Sequence, residues 1–252
     1  MTYPERTPAV TLATGTGPVR TIGIVACSAE GAALCYRTIC SRAPTILGPH
    51  THPEIALHGF SLAEYVTALD AANLEAVGGI MLRSADKLAA MGADFLICPD
   101  NTIHAALDHV RPYSPLPWLH IADVVAEQAL RGGVRRAALL GTRWLVDSLV
   151  YPDALSIHGI DCVRPEEDEK DMLARIIMNE LVKDVQTDSS TAFLTALISD
   201  MKDRGCDAVI LGCTELPLVL SDRNSPLPTL DSTRLLADAA LRHAISERRA
   251  SD

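Results

Sequence analysis

Three apolar runs set the frame of the chain: "TIGIVAC" at 21–27, "AALLG" at 137–141 and "DAVILG" at 207–212. None alternates apolar with polar residues. Strands covered on both faces read this way, whereas half-exposed strands alternate. Between them lie stretches with helical period. "AEGAALCYRTIC" follows the first run, and "LAEYVTALDAANLEAVGGIMLRSADKLAAM" is long enough for a helix broken near Gly78-Gly79. "HPEIALHGFS" and "GADFLICPD" predict further strands, and "NTIHAALDHVR" predicts a helix directly after the second of these. The remainder repeats the theme: short strands at "WLH", "RRAALLGT", "DCVRP", "CDAVILGCTE" and "LPTLD", each followed by helix. Strand–helix alternation predicts an α/β protein with parallel sheets built from right-handed βαβ units.

The spacing carries a two-fold pattern. Cys27 closes one predicted strand and Asp100 follows another 73 residues later; Thr142 and Cys213 stand in the same relation, 71 residues apart. Two similar Rossmann-like halves, related by a pseudo-two-fold, would then turn strand ends toward one cleft. Expected boundaries are an N-terminal leader at 1–20, a first domain at 21–116 plus 226–252, and a second at 117–225.

Two of those strand ends carry polar motifs, "CPDNT" at 98–102 and "LGCTE" at 211–215. Ligands of open α/β sheets bind beyond the carboxyl ends of strands. A helix starting after each motif would offer N–H groups to a carboxylate, and Asn101, Thr102 and Thr214 would add side-chain donors. Asp100 and Cys213 then flank whatever is held. A pair of ionisable groups on opposite sides of a carbon beside a carboxylate suits proton transfer. A thiol, with a reference pKa of about 8.5, comes into range at a helix N-terminus. The same residues also suit plainer duties: Asp100 and Asn101 as turn or cap residues, Thr102 and Thr214 as caps.

Composition narrows the partners. The 252 residues are 48% hydrophobic, enough for a sizeable core, yet no apolar run reaches the roughly 18 residues of a membrane span. The formal net charge is −10 and no Lys/Arg block tracks phosphates, so a small molecule, not nucleic acid or membrane, is the expected partner. Seven cysteines at irregular spacing, without a C-x-x-C pair, suggest neither a disulfide framework nor a zinc ribbon and fit a reducing cytoplasm. Cys98, Asp100 and His104 lack an evident further ligand, so no metal is expected. Cys27, Cys35, Cys40, Cys162 and Cys206 read as packing residues, as does Cys98 in a strand interior.

Taken in order, "IGIVACSAEGAAL", "HPEI", "GADFLICPDNTIH", "LHIAD", "ALLGT", "HGI", "DAVILGCTELPLVL" and "PTLDSTRLLADAAL" resemble the aspartate/glutamate racemase superfamily over nearly the whole chain from Thr21 to about Leu241. The resemblance implies two α/β domains about a cleft, commonly a homodimer, no cofactor (in particular no PLP), and two cysteines, one per domain, as acid and base. Asp100 stands where the first of those cysteines is usual. An Asp is the weaker base by about 4.6 pK units, roughly 6 kcal/mol of proton affinity. By this likeness Asp100 and Cys213 are catalytic, and Asn101, Thr102 and Thr214 hold the α-carboxylate. Lys183, 30 residues before Cys213, reads the substrate side chain, helped by Thr142 and by His58 in place of the usual Arg. Ser28 opens the turn that replaces a glycine-rich loop. The expected activity is PLP-independent racemisation or epimerisation of an acidic or polar amino acid. The alternatives are a one-base isomerase, lyase or decarboxylase acting on a related carboxylic acid, and a non-catalytic amino-acid-binding protein.

Overall fold

The computed structural model describes residues 19–246, so nearly all of the expected leader at 1–20 lies outside the described residues. In chain order, β1 (Ile22–Ala26) leads to α1 (Ala29–Arg42) and the single turn α2 (Pro44–Leu47). β2 (Ile55–Gly59) leads to α3 (Leu62–Asp70) and α4 (Leu74–Ala90). β3 (Phe95–Ile97) exits through a 3₁₀ turn (Thr102–Ala106) into α5 (Leu107–Val110), and β4 (Trp118–Leu119) precedes α6 (Ile121–Arg131). The second half follows with β5 (Arg136–Leu140), α7 (Arg143–Asp147), α8 (Val150–Ser156), β6 (Asp161–Val163), α9 (Glu167–Asn179) and α10 (Asp188–Asp203). β7 (Ala208–Leu211), β8 (Thr229–Asp231) and α11 (Ser232–Ile245) complete it.

The strands form two parallel sheets of four, in the orders β2-β1-β3-β4 and β6-β5-β7-β8. Both orders are second, first, third, fourth, so β1 corresponds to β5 and β3 to β7. The continuous apolar runs find their reason in the core. Along β5, Ala138 and Leu140 face one cluster with α9 and α10, while Ala137 and Leu139 face another with α6 and α8. Along β1, Val25 joins the α4 side and Ile22, Ile24 and Ala26 the side of α1 and α11. A strand buried on both faces has no polar positions to alternate.

Sheet membership differs from the expected domain limits. Trp118–Leu119 pairs with β3 in the first sheet, although 117 was expected to open the second domain. Thr229–Asp231 pairs with β7 in the second sheet, although 226 was expected to return to the first. The chain changes sides one element later in both places. α6 packs on the second sheet through Ala122, Val125 and Ala126, and α11 on the first through Leu236, Ala237 and Ala240.

The expected helix break at Gly78-Gly79 is also displaced. α3 ends at Asp70, Ala72 takes a φ of 51°, and Asn73 caps α4 by accepting from the Ala76 N–H. Gly78 instead marks a close approach: a Cβ there would stand 3.1 Å from the Cβ of His109 and 3.4 Å from Val110, whereas at Gly79 it would meet nothing within 4 Å.

That contrast makes adjacent glycines respond oppositely. Gly79→Ala should stabilise the protein by about 0.5–1 kcal/mol through helix propensity, and Gly78→Leu should destabilise it by about 1–3 kcal/mol through overpacking, both read from urea unfolding midpoints. Equal responses at the two positions would contradict the packing of α4 on α5.

Candidate active site

The carboxyl ends of β1, β3, β5 and β7 meet at one cavity of about 640 Å³ including its open mouth. Cys27, Ser28, Asp100 and Thr102 line it from the first half, and Thr142, Cys213, Thr214 and Glu215 from the second. The expected convergence of the two strand-end motifs is therefore present.

Asp100 is held by its own chain. Its Oδ1 accepts from the Thr102 N–H at 3.1 Å and from Ile103 at 3.5 Å, which caps the 3₁₀ turn that stands where an α-helix was expected. Those N–H groups are thus occupied by Asp100 itself and are not open to an incoming carboxylate. The Cys27 thiol at the end of β1 lines the cavity with Asp100, and the charge of each acts on the other. Burial raises the Asp100 pKa above the usual carboxylate range; the Ile103 N–H, Cys27 and the Thr102 N–H pull it back, and Glu215 adds to the rise. Burial, then the Asp100 carboxyl, pushes the Cys27 thiol well above its ordinary value.

The second half brings a thiol and a carboxyl group together at the exit of one strand, β7. Cys213 Sγ donates to Glu215 Oε2 at 2.8 Å, and Thr214 Oγ1 donates to the same oxygen at 2.8 Å. Burial first, then the Glu215 carboxyl, lifts the Cys213 thiol well above its ordinary value. Here too no α-helix follows the motif; a 3₁₀ turn at Leu216–Leu218 does. Each half thus presents a thiol and a carboxyl group, and all four side chains line the same space.

Hydroxyls bridge the halves. Thr102 Oγ1 and Thr142 Oγ1 lie 3.0 Å apart, and Thr142 also accepts from the Leu145 N–H. One of the two hydroxyl hydrogens is spent on the mutual bond, which leaves the other for a ligand. Ser28 caps α1 by accepting from the Gly31 N–H. Gly31 is where α1 meets the opposite half, because a Cβ there would lie 2.6 Å from Thr214 Cγ2.

Asn101 also lines the cavity, and its polar atoms are engaged within the protein. Its side chain is 2% exposed and committed: Tyr151 donates to Oδ1 at 2.6 Å, and Nδ2 donates to Ser232 Oγ at 3.0 Å. Lys183 and His58 are not brought to the cavity. Lys183 closes a short 3₁₀ turn and is exposed, while its neighbour Val182 does line the cavity. His58 bonds Ser84 Oγ at 3.0 Å, and burial together with the charge of Lys87 keeps it below the ordinary histidine range. A neutral imidazole there supplies no cation for an acidic side chain. Cys98 is fully buried in the core, and His104 spans from the Cys98 carbonyl to the Ile121 N–H. Among the described residues no cluster of His, Cys, Asp or Glu is arranged to hold a metal.

Sequence reasoning missed Cys27 and Glu215. The two-fold spacing already placed Cys27 opposite Thr142, and Glu215 sits inside the quoted motif; either could have been raised by that signal. It also missed the apolar wall, in which Leu62, Val66 and Leu69 of α3 face Ile177 and Met178 of α9.

With this geometry in view, known relatives agree. A model of the Asp/Glu/Hydantoin racemase family matches residues 22–240. A broad-specificity amino-acid racemase, RacX, of Bacillus subtilis is 24% identical over 164 residues, 64% of this chain and 69% of that one. Among solved structures, a Yersinia pestis protein classed with the Asp/Glu racemases superposes with a TM-score of 0.83 at 27% identity, covering 90% of this chain and 99% of the other. An aspartate racemase homologue from Pyrococcus horikoshii gives 0.78 at 26% identity, covering 89% and 99%. Two four-stranded parallel sheets in one order, thiols at their facing ends and a family match spanning both halves lead to one assignment: this chain belongs to the Asp/Glu/hydantoin racemase family.

Proposed function

We propose that the protein is a cofactor-independent amino-acid racemase or epimerase. The observation that supports this most is that Asp100 and Cys213, at the corresponding exits of β3 and β7, line one cavity, with Cys27 and Glu215 beside them. Inversion at a carbon needs a base on one face and an acid on the other. Asp100 serves one face and Cys213 the other, each able to give or take a proton.

In this reading the substrate α-carbon lies between Asp100 and Cys213. Its ammonium group faces the acidic side chains, and its carboxylate takes the free hydroxyl of the Thr102–Thr142 pair. Asp100 is the weaker base, so the two directions run with unequal rate constants. Burial raises the pKa of Asp100 and of Cys213 alike. Cys27 acts as the positioning partner of Asp100. Seven free thiols support a reducing cytoplasm as the working compartment, and no helix among the described residues is long and apolar enough to cross a membrane.

Cys213→Ala and Asp100→Asn should each lower racemisation by about 10²–10⁴-fold, the usual worth of a general acid or base, as measured by chiral chromatography. Asp100→Asn should nevertheless fold well, because an amide oxygen can still accept from the Thr102 N–H. The native pKa of Asp100 lies above its unfolded value, so its ionisation costs stability as pH rises through that interval. Asp100→Asn removes the cost and should match or exceed the parent in thermal stability at pH 7. Retention of most of the racemisation by either variant would remove its residue from the mechanism.

The acid limb of the rate profile follows ionisation of Asp100 and should lie above the ~4 of an ordinary Asp. Cys27 beside Asp100 holds the Asp100 pKa down, so Cys27→Ala should move that limb to higher pH and reduce the plateau by about tenfold or more. A limb that stays in place would show that Cys27 only packs.

A further inference from the structure

The walls of the cavity say more about the substrate than its floor does. Resting on the racemase reading above, we infer that the side-chain subsite takes an aliphatic or thioether side chain, and that acidic amino acids are poor substrates.

α3 contributes Leu62, Val66 and Leu69, spaced i, i+4 and i+7 so that they form one stripe facing the cavity. α9 contributes Ile177 and Met178 from the other half, and Val182 extends the wall beyond it. Trp144, at the first turn of α7, adds an indole face. The subsite is therefore apolar on both sides of the cleft.

The charges point the same way. No Lys, Arg or His lines the cavity, and its only ionisable side chains besides the two thiols are Asp100 and Glu215. A substrate ammonium group complements those carboxyls. A second carboxylate, on the substrate side chain, would enter an apolar wall beside two acids with no cation to meet it, which a buried anion does not tolerate. The residues expected to supply that cation are elsewhere: Lys183 is exposed and off the lining, and His58 is held neutral against Ser84. A cationic side chain would have to leave water for the same apolar wall.

The test uses the intact protein in deuterated water with single-enantiomer leucine, methionine, alanine, lysine, aspartate and glutamate, following loss of the α-proton signal by NMR. Leucine and methionine should exchange with kcat/KM at least 100-fold above aspartate, glutamate and lysine, since each methylene in an apolar pocket is worth roughly 10-fold or more. Faster exchange of aspartate, glutamate or lysine overturns the substrate class and leaves the racemase reading standing. Absence of exchange across the whole panel overturns the racemase reading instead. Calorimetric titration with leucine and aspartate then still reads selectivity without turnover: tighter leucine binding upholds the apolar subsite, and equal or tighter aspartate binding refutes it. Val66→Arg supplies an internal check. It should cut the leucine-to-alanine ratio of kcat/KM at least tenfold, because leucine reaches this wall and alanine is too short to do so. An unchanged ratio would show that this wall does not read the side chain.

Discussion

A single buried carboxamide fixes the relation between the two strand exits on which everything else stands. Asn101 accepts from Tyr151 of α8 and donates to Ser232 at the start of α11, and Ser232 in turn donates to the carbonyl of Leu211 at the end of β7. The residue on one side of this tie is Asp100; two residues past its other end is Cys213. Each bond contributes only about 1 kcal/mol net, but leaving any of these groups unpaired in the interior would cost more. The network therefore acts less as glue than as a registration device. It spends Asn101 on geometry and leaves the hydroxyls, the thiols and the carboxyl groups to face the cavity.

Electrostatics ties those groups together. Burial raises the pKa of a thiol and of a carboxyl alike, and the neighbouring acid raises it further. Cys27 and Asp100 from one half and Cys213 and Glu215 from the other line the same cavity. The cavity holds no basic side chain to relieve them, so it is poised for a ligand that brings its own positive charge. The family relationship accounts for the two sheets and their facing ends.

Much of this was legible in the residues. Strands buried on both faces announce themselves as unbroken apolar runs, and the repeated spacing from Cys27 to Asp100 and from Thr142 to Cys213 foretold two halves sharing a site. What escaped had physical reasons. The helix break lies at Ala72 and Asn73, because an Asn cap terminates more firmly than a glycine that packs. β4 is two residues long and carries no periodicity, so the crossing between halves could not be placed from pattern. Lys183 was chosen by spacing along the chain, but the 3₁₀ turn that ends in a left-handed Asp184 leaves Val182, not Lys183, at the cavity. A cysteine after an apolar strand looks like packing until its neighbour across the sheet is known.

The most direct measurement of the central claim is the position of deuterium early in the reaction. The amino acid that the protein turns over fastest is supplied as one enantiomer in deuterated water, and both enantiomers are separated and weighed by mass spectrometry. Asp100 and Cys213 acting from opposite faces predict a product enantiomer that carries deuterium at the α-carbon while unreacted substrate stays protonated. Deuterium rising equally in both enantiomers from the start, or a product that keeps the original proton, would mean a single base and would contradict the account.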